Sequence, residues 1–449
     1  MQDTQAVRAY AGAVRDLLAH GGYERTGNVA EARRWGREHV SSLLDILGRP
    51  DARHTVHIAG SKGKGSTAAM VESILRAAGA HTLLMTSPDL HQARERIAID
   101  GVPIEYGRFA ALTGRLLAQE GTAGWSYFEL MTVLGWLAGE EAGCDWQVVE
   151  VGLGGRLDTT NTVAAKAVAV IMPIDLEHTA ILGDTIPAIA AEKAGIITGP
   201  CEVVTAPMRP SALEVVQARA AEMGARLHQV PEECALHVAS QDLDGQTLDL
   251  RTPVRTYRRL KLSLLGHHQA ENAAVAVRAA ELASASVGEE LPEQAVRHGL
   301  EQVRWPGRFE VIRRRPLVIV DGLHTPLAAR RFHETVQALR LPKRRLYVVG
   351  MLAGRDTAAI AAALVREGDE VVIAPPSSPR AADVAEVRQG FIDAGAVVRQ
   401  AGSVGAAIDV AVELVGPRGA VLVTGSLYTV AEAREHLLGI VGDRSFGLR

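Results

Sequence analysis

Residues 57–67 read His57–Ile58–Ala59–Gly60–Ser61–Lys62–Gly63–Lys64–Gly65–Ser66–Thr67. An apolar, β-prone run leads into a glycine-rich turn, and a helical pattern follows. Small glycines let backbone N–H groups close around phosphate oxygens, and the positive end of the following helix points at the same anion. Lys64 adds a mobile positive charge, and Ser66 or Thr67 adds a hydroxyl for Mg²⁺. The stretch predicts a phosphate-binding loop, although its glycine spacing is not G-x-x-x-x-G-K-[ST]. A basic turn without a ligand is the alternative.

Bulk composition limits the class of protein. The chain has 449 residues, which exceeds the size of a single hydrophobic core and favours two domains. Its net charge of −4 gives no general attraction to nucleic acid or to an anionic membrane. The sequence contains neither an apolar run long enough to span a bilayer nor a signal-peptide pattern. Its three widely spaced cysteines suit neither a disulfide framework nor a metal site, so we expect the reduced cytoplasm.

Helical and apolar runs alternate after the glycine-rich loop. A helix follows Ser66 and stops near Gly79. The next strand candidates are Thr82–Thr86, Trp146–Val151, Ala167–Ile174 and Val203–Ala206. Short buried strands separated by helices predict a mostly parallel sheet covered by helices, with ligands beyond the carboxyl ends of its strands. We therefore expect the residues at or just past those ends to share one crevice: Gly60, Ser87, Glu150 and Asp175.

The second half of the chain predicts two further units. Residues 229–262 alternate in polarity and suggest a hairpin or a small antiparallel insert. A second α/β series follows Trp305–Gly307, with strand candidates at Leu317–Val320, Leu346–Val349, Val371–Ala374 and Ala420–Thr424. We expect a first domain at 1–302, including an N-terminal helical segment, and a smaller α/β domain at 303–449.

Glu150 is the strongest single candidate for metal chemistry. A carboxylate in a nearly continuous apolar strand is costly to bury unless a cation accompanies it, and Mg²⁺ favours a few carboxylates beside substrate phosphates. The alternatives are a strand edge in water or an arginine partner. The nearby Gly152–Arg156 run only loosely matches a dinucleotide fingerprint, which makes an oxidoreductase a distant hypothesis.

Two histidines, one lysine and one aspartate are further candidates. His178 follows a strand end, where it is either a metal ligand or a surface or capping residue. Lys193 lies in an apolar helix beside Glu192; it is either a salt-bridged helix-face lysine or a buried amine of depressed pKa that reacts with carbonyl groups or CO₂. Asp321 and His324 follow the first strand candidate of the second domain.

Motifs in this order resemble those of the folylpolyglutamate synthase/dihydrofolate synthase family, a branch of the Mur ligase superfamily. The resemblance begins near residue 30 and rests on the following segments: Gly60–Ser66, Thr86–Leu90, Glu95–Ile97, Glu150–Asn161, Glu177–Thr185, Glu192–Ile196, His268–Ala273, Trp305–Glu310 and Asp321–Pro326. It implies a P-loop-type, mostly parallel Mur ligase-like domain followed by a smaller Rossmann-like α/β domain.

The resemblance also implies roles for residues. ATP would contact Gly60, Gly63, Lys64, Gly65, Ser66, Thr67, Asn272, Arg308, Asp321 and His324. Mg²⁺ would be held by Ser87, Glu150 and His178, and a carbamylated Lys193 would help to bind a second Mg²⁺. Catalysis would rest on Lys64, His178 and Lys193. The implied reaction is attachment of L-glutamate to a folate or dihydropteroate carboxylate through an acyl phosphate. A monomer without nucleic-acid or membrane partners is implied as well.

Departures from the family motifs keep other hypotheses open. Lys62 and Thr325 each stand in place of an asparagine. Asp89 stands in place of a histidine, and Glu177 in place of an aspartate. A ligase of the same superfamily for another acid or amine is therefore the second hypothesis. A nucleotide-binding protein without ligase activity is the third.

Overall fold

An eight-stranded sheet organises the first part of the chain. The structure is a computed structural model that describes residues 4–23, 37–122, 124–163 and 165–448. The spatial order of the strands is β4-β3-β2-β5-β1-β6-β7-β8. The six strands that follow β3 in this order pair in parallel with one another. The strands are β1 (His54–Ala59), β2 (Thr82–Met85), β3 (Ile97–Ile99), β4 (Val102–Pro103), β5 (Trp146–Glu150), β6 (Val168–Ile171), β7 (Glu202–Thr205) and β8 (Arg226–Gln229). The predicted parallel sheet is confirmed, whereas its antiparallel edge, β3 and β4, was not predicted.

Helices cover both faces of this sheet, so its central strands are buried. Helix α3, which follows the glycine-rich loop, packs against α10 and α11 on one face. The helices of this part are α1 (Thr4–Ala19), α2 (Glu38–Ile46), α3 (Lys64–Ala77), α4 (Tyr106–Leu117), α5 (Tyr127–Ala142), α6 (Thr179–Leu182), α7 (Ile186–Ala194), α8 (Pro210–Glu222), α9 (Val230–Glu233), α10 (His267–Ser286) and α11 (Glu293–Gln302). Helices α1 and α2 lie in the predicted N-terminal helical segment, of which residues 1–3 and 24–36 lie outside the described residues.

The predicted antiparallel insert is a three-stranded sheet in the order β11-β10-β9. Its strands are β9 (Ala235–Asp242), β10 (Gly245–Arg251) and β11 (Thr256–Leu262). Alternate residues of β10, including Leu248 and Leu250, are buried in the same hydrophobic core as α3 and α10. The alternating polarity of the sequence arises because one face of this insert packs on helices and the other is solvated.

A six-stranded sheet organises the rest of the chain, in the order β12-β13-β17-β14-β15-β16. Its strands are β12 (Glu310–Arg314), β13 (Leu317–Asp321), β14 (Arg345–Val349), β15 (Glu370–Ile373), β16 (Val397–Gln400) and β17 (Ala420–Thr424). Its helices are α12 (Pro326–Ala338), α13 (Thr357–Leu364), α14 (Val384–Asp393), α15 (Val404–Val415) and α16 (Leu427–Leu438). Asp321 ends β13 as expected, but β13 is not the first strand here, because β12 precedes it as an antiparallel edge.

The two large sheets are built from separate stretches of chain. We propose that the domain boundary lies at 302/303, between α11 and the loop that leads to β12. None of the described helices is long and apolar enough to cross a membrane.

Candidate active site

The glycine-rich loop lies at the carboxyl end of β1, the central strand of the first sheet, and runs into α3. Gly63 precedes α3 with a φ of 85°, and a Cβ atom there would lie 2.7 Å from Oδ1 of Asn272. A larger residue would therefore be strained and would collide with α10. The loop is thus closed between the sheet and α10, with the amino end of a 14-residue helix beside it.

Two lysines hold the beginning of this loop. The Nζ atoms of Lys64 and Lys193 donate to the carbonyl oxygen of Gly60 at 3.1 and 2.9 Å. Lys193 is only 1% exposed and also donates to Oε1 of Glu177 at 2.7 Å. Burial lowers the pKa of Lys193 to about 8, and Glu177 limits that decrease. Lys193 is thus both salt-bridged and buried, and its partner is Glu177, whereas the neighbouring Glu192 pairs with Arg156.

Glu177 has three lysines around it. Its Oε2 atom lies 3.7 Å from Nζ of Lys62, while Oε1 is bonded to Lys193. Burial opposes ionisation of Glu177, but the charges of Lys193, Lys64 and Lys62 outweigh it and lower the pKa to about 2. One ionised carboxylate among three cationic side chains leaves an excess of positive charge beside the loop, which suits a polyanionic ligand.

Glu150 and Ser87 meet at the carboxyl ends of β5 and β2. Glu150 is 8% exposed, and its Oε2 atom accepts the backbone N–H of Ser87 at 3.1 Å. Because β5 lies between β1 and β2, the strand-edge alternative is wrong. Burial raises the pKa of Glu150, and Lys64 is the largest opposing charge. Both residues line a small cavity with Met85, Thr86, Arg96, Phe128, Met131, Thr132 and Thr160.

The hinge, which we define as residues 303–309 between α11 and β12, brings Trp305 onto the start of α3. A Cβ atom at Gly65 would lie 2.6 Å from Cζ2 of Trp305 and 3.2 Å from Oε2 of Glu150. The glycine is needed here for close approach, because any side chain would push the tryptophan away. The loop, the buried carboxylate and the hinge therefore meet within contact distance.

His178 lies apart from that cavity. It precedes the short helix α6 with a left-handed φ of 47°, and its Nδ1 atom is 3.1 Å from the hydroxyl of Tyr23. Desolvation by neighbouring groups lowers the pKa of His178 to about 4, with the charges of Lys193 and Lys64 adding to the effect and Glu177 opposing it. Within the described residues, no three His, Cys, Asp or Glu side chains are grouped to hold a metal.

The remaining candidates lie on α10, the hinge and the second sheet. Asn272 donates to Gln269, which in turn donates to Oγ of Ser66 at 3.3 Å. Asp321 accepts the backbone N–H groups of Phe309 and Leu323, both at 2.8 Å.

Like Asp321, the side chains of Arg308 and His324 bond to backbone atoms. Arg308 donates to the carbonyl oxygen of Gly307 at 3.2 Å. Nδ1 of His324 is 2.9 Å from the carbonyl oxygen of Gly322. Burial lowers the pKa of His324 to about 3, and Lys62 of the first domain is the next largest cause, so the two domains face each other here.

Comparison with known proteins identifies the family. The Mur ligase middle domain matches residues 58–280, and the Mur ligase glutamate ligase domain matches residues 307–427. The dihydrofolate synthase/folylpolyglutamate synthase of Mycobacterium tuberculosis is 35% identical over 432 residues, covering 88% of this chain and 88% of that protein. The chain belongs to the folylpolyglutamate synthase/dihydrofolate synthase family.

Other members of the folylpolyglutamate synthase/dihydrofolate synthase family agree in sequence and in fold. A probable bifunctional folylpolyglutamate synthase/dihydropteroate synthase of Haloferax volcanii is 35% identical, although this chain spans only 48% of that longer relative. The solved structure of Mycobacterium tuberculosis folylpolyglutamate synthase complexed with ADP and AMPPCP has a TM-score of 0.81 at 34% identity, covering 90% of this chain and 95% of that chain. The chain is therefore an enzyme of the Mur ligase type, and the predicted two-part α/β architecture is confirmed.

Two departures from the family motifs have local structural roles. Asp89 is buried and accepts from Nε of Arg96 at 2.7 Å, so it forms an internal ion pair. Thr325 caps α12, its side chain accepting the N–H of Ala328 at 3.3 Å. The other two, Lys62 and Glu177, contact each other.

Sequence reasoning missed three residues of this site. Gln269 belongs to a quoted motif and lies three positions before Asn272, on the same face of α10, which could have indicated its role. Trp305 begins the second series and one of the family motifs, but the sequence assigns it no role at the loop, and Phe128 lines the Ser87–Glu150 cavity from α5. No local pattern marks the last two, because their contacts depend on how the hinge and α5 pack.

Proposed function

We propose that this chain is an ATP-dependent ligase that joins L-glutamate to the carboxylate of a folate or dihydropteroate, releasing ADP and phosphate. The observation that carries the proposal is the meeting of Gly65, Glu150 and Trp305 at the start of α3. It puts a helix amino end, a buried carboxylate and the hinge between two domains at one point, which suits nucleotide phosphates accompanied by a cation. Relatives carrying the synthase names support the substrates.

The nucleotide would be held from both domains. The backbone of Gly60, Gly63 and Gly65 and the side chains of Lys64, Ser66 and Thr67 would contact phosphates in the manner of a phosphate-binding loop. Asn272, Arg308, Asp321 and His324 would contact the nucleotide from α10, the hinge and the second domain. Complexes of the Mycobacterium tuberculosis enzyme with ADP and AMPPCP support nucleotide binding.

The residues present fit Mg²⁺ at one end of the site. Glu150 is a buried carboxylate whose Oε2 atom accepts only one backbone N–H, and Ser87 beside it carries a hydroxyl. Such a pair suits Mg²⁺, which binds through one or two protein ligands together with phosphate oxygens and waters. When bound there, the ion would neutralise charge on the phosphoryl group that is transferred. His178 is proposed as a further ligand of this ion, and a carbamylated Lys193 as a ligand of a second Mg²⁺, for which Lys193 would first have to leave Glu177.

The chemistry has two steps. A carboxylate oxygen of the pteroyl substrate attacks the γ-phosphorus of ATP, the bond to the β-phosphate oxygen breaks, and ADP leaves. Lys64 and the backbone N–H groups of the loop stabilise the charge on the transferred phosphoryl group. The deprotonated amine of glutamate then attacks the carbonyl carbon of the acyl phosphate, and inorganic phosphate leaves with the bonding electrons of the C–O bond. The charge of Lys62 acts on His324 of the second domain, and closure of the two domains here would help to exclude water, which otherwise hydrolyses the acyl phosphate.

The test is mass spectrometry of the product formed from dihydropteroate or tetrahydrofolate with glutamate, ATP and MgCl₂. We expect addition of one glutamyl residue for each ADP released, and ADP release that requires both the acyl substrate and glutamate. K64A should abolish the product, whereas K343A, which changes an exposed lysine, should not. ADP release that continues without either substrate, and without an amide product, would overturn the proposal.

A further inference from the structure

The end of the chain is bonded to the loop that carries Ser87. We define the bridging loop as residues 86–96, between β2 and β3, and the C-terminal tail as residues 439–448, after α16. Asp443 of the tail is fully buried, and its Oδ2 atom accepts the backbone N–H of Ala93 at 2.8 Å. Its own N–H donates to the carbonyl oxygen of His91 at 2.9 Å, and its Oδ1 atom accepts the hydroxyl of Tyr10 at 2.9 Å.

Further contacts fasten the same loop to the second domain. Nδ1 of His91 is 3.0 Å from Oε1 of Glu435, and its Nε2 contacts Arg434; both partners lie on α16. Nε2 of Gln92 donates to the carbonyl oxygen of Val441 at 2.8 Å. The side chain of Leu90 packs against the hydrophobic core beneath α15 and α16.

The bridging loop is stiff enough to transmit such a contact. One carboxylate oxygen of Glu95 accepts the N–H groups of Leu90 and His91, both at 3.0 Å. The Asp89–Arg96 ion pair ties the middle of the loop to its end. At its beginning, the N–H of Ser87 is bonded to Glu150. The position of His91 and Ala93 therefore constrains the position of Ser87 through hydrogen bonds within the loop.

Asp443 has no part in the proposed chemistry, yet it is expensive to keep buried. Burial raises its pKa to about 6, and the N–H of Ala93 and the hydroxyl of Tyr10 oppose that increase. Removal of the carboxylate would leave the N–H of Ala93 without this acceptor, which favours separation of the tail and the loop.

We propose that Asp443 is a positioning residue, which holds the bridging loop against the C-terminal tail so that Ser87 and Glu150 are correctly placed for the Mg²⁺ of the bound nucleotide. This inference rests on the proposed function for the identity of the ligand. The second domain would thus influence the position of Ser87 and Glu150 through the contact of its C-terminal tail with the bridging loop, which is remote from the phosphate loop.

The test is calorimetric measurement of ADP affinity in the full-length chain, with MgCl₂ and with EDTA. The Mg²⁺ enhancement is the ratio of ADP affinity with MgCl₂ to ADP affinity in EDTA. We expect this ratio to be about ten-fold smaller in D443A than in wild type, while the affinity of D443A in EDTA stays within about two-fold of wild type. D443N keeps one oxygen for the N–H of Ala93 and should lose less. D393N, a matched change of an exposed aspartate on α14, should behave as wild type. In turnover, D443A should need more Mg²⁺ for half-maximal rate, with kcat at saturating Mg²⁺ nearly unchanged.

The outcomes separate the two proposals. Absence of ADP binding by the wild-type chain would overturn the proposed function, and absence of Mg²⁺ enhancement would overturn this inference with it. Normal enhancement in wild type and in D443A would overturn the inference alone. If thermal unfolding shows that D443A is not folded, Q92M decides, because it leaves Asp443 in place and breaks the hydrogen bond of Gln92 to the tail, together with its bonds to Tyr106 and Arg94. Q92M with the wild-type enhancement would then overturn the inference.

Discussion

Lys62 and Glu177 are best understood as one change. The family motifs have asparagine and aspartate at these positions, and here the two charged replacements lie 3.7 Å apart. A glutamate is one methylene longer than an aspartate, so its two oxygens reach both Lys193 and Lys62. The positive charge added by Lys62 thus lies beside the carboxylate of Glu177. Neither residue by itself indicates a different substrate.

The ion pair of Glu177 and Lys193 gives a stability prediction. E177Q should lower the free energy of unfolding by about 2–4 kcal/mol at neutral pH, because it leaves the buried ammonium of Lys193 without a counter-charge. Urea unfolding would measure the change. The matched control is E192Q, whose glutamate pairs with the exposed Arg156 and should cost less than about 1 kcal/mol. Equal costs for the two variants would contradict the prediction.

Lys166 gives a pH prediction at a site away from the nucleotide. Its Nζ atom donates to Oγ1 of Thr198 at 2.9 Å, and burial lowers its pKa from 10.5 to about 8. Between these two values the unfolded chain binds more protons than the folded chain, so this residue makes stability rise as pH increases from about 8 to 10. The unfolding free energy of wild type minus that of K166M should therefore increase over this range by up to about 3 kcal/mol. A constant difference would contradict the assignment.

At the scale of elements, the loop and α3 act together with the hinge. Two lysines donate hydrogen bonds to the carbonyl oxygen of Gly60 in the loop, and the ring of Trp305 packs on α3 at Gly65. Helix α3 is therefore both the amino-terminal anion site and the surface on which the hinge rests. A movement of the hinge would therefore displace the start of α3 and the loop that we propose to bind the phosphates.

G65A tests this packing. A methyl group at Gly65 would displace Trp305 and crowd Glu150, so we expect ADP affinity with MgCl₂ to fall by about ten-fold or more. The control is G114A in α4, where nothing lies within 4 Å and alanine should stabilise the helix by about 0.5–1 kcal/mol. Calorimetry and thermal unfolding would measure the two effects. Normal ADP affinity in G65A would show that the contact with Trp305 is not needed.

At the scale of the whole molecule, two sheets with separate cores approach each other at the phosphate loop and at the bridging loop. The charge of Lys62 of the first domain lowers the pKa of His324 of the second, and the C-terminal tail bonds to the bridging loop. A ligand bound between the two domains should therefore stabilise both.

Hydrogen exchange would test that expectation. Mg²⁺ and ADP at 100 times the dissociation constant should raise the free energy of unfolding by about 2.7 kcal/mol. Peptides from β1 and from β13 should both become more protected, because the nucleotide would contact both sheets. Protection confined to the first sheet would contradict the proposed contacts of Asp321 and His324.

The sequence by itself determined the elements and the family. Apolar runs, helical periodicity and glycine spacing are local signals, and they predicted the phosphate loop, the order of the parallel strands in the chain and the buried carboxylate of Glu150 at a strand end. The strands at or next to the sheet edges were not predicted, because these strands of two to five residues are too short or too polar to give a continuous apolar run: β3, β4, β8, β12 and β16.

Only the tertiary structure decided which side chains meet. Lys193 lies 133 positions from Gly60, and Tyr10 lies 433 positions from Asp443, yet both pairs are hydrogen bonded. The sequence beside Lys193 suggested Glu192 as its partner, whereas folding turned the lysine inward to Glu177. Such contacts depend on the side of each element that faces the interior and on how the chain ends return to the site, and no local pattern encodes either.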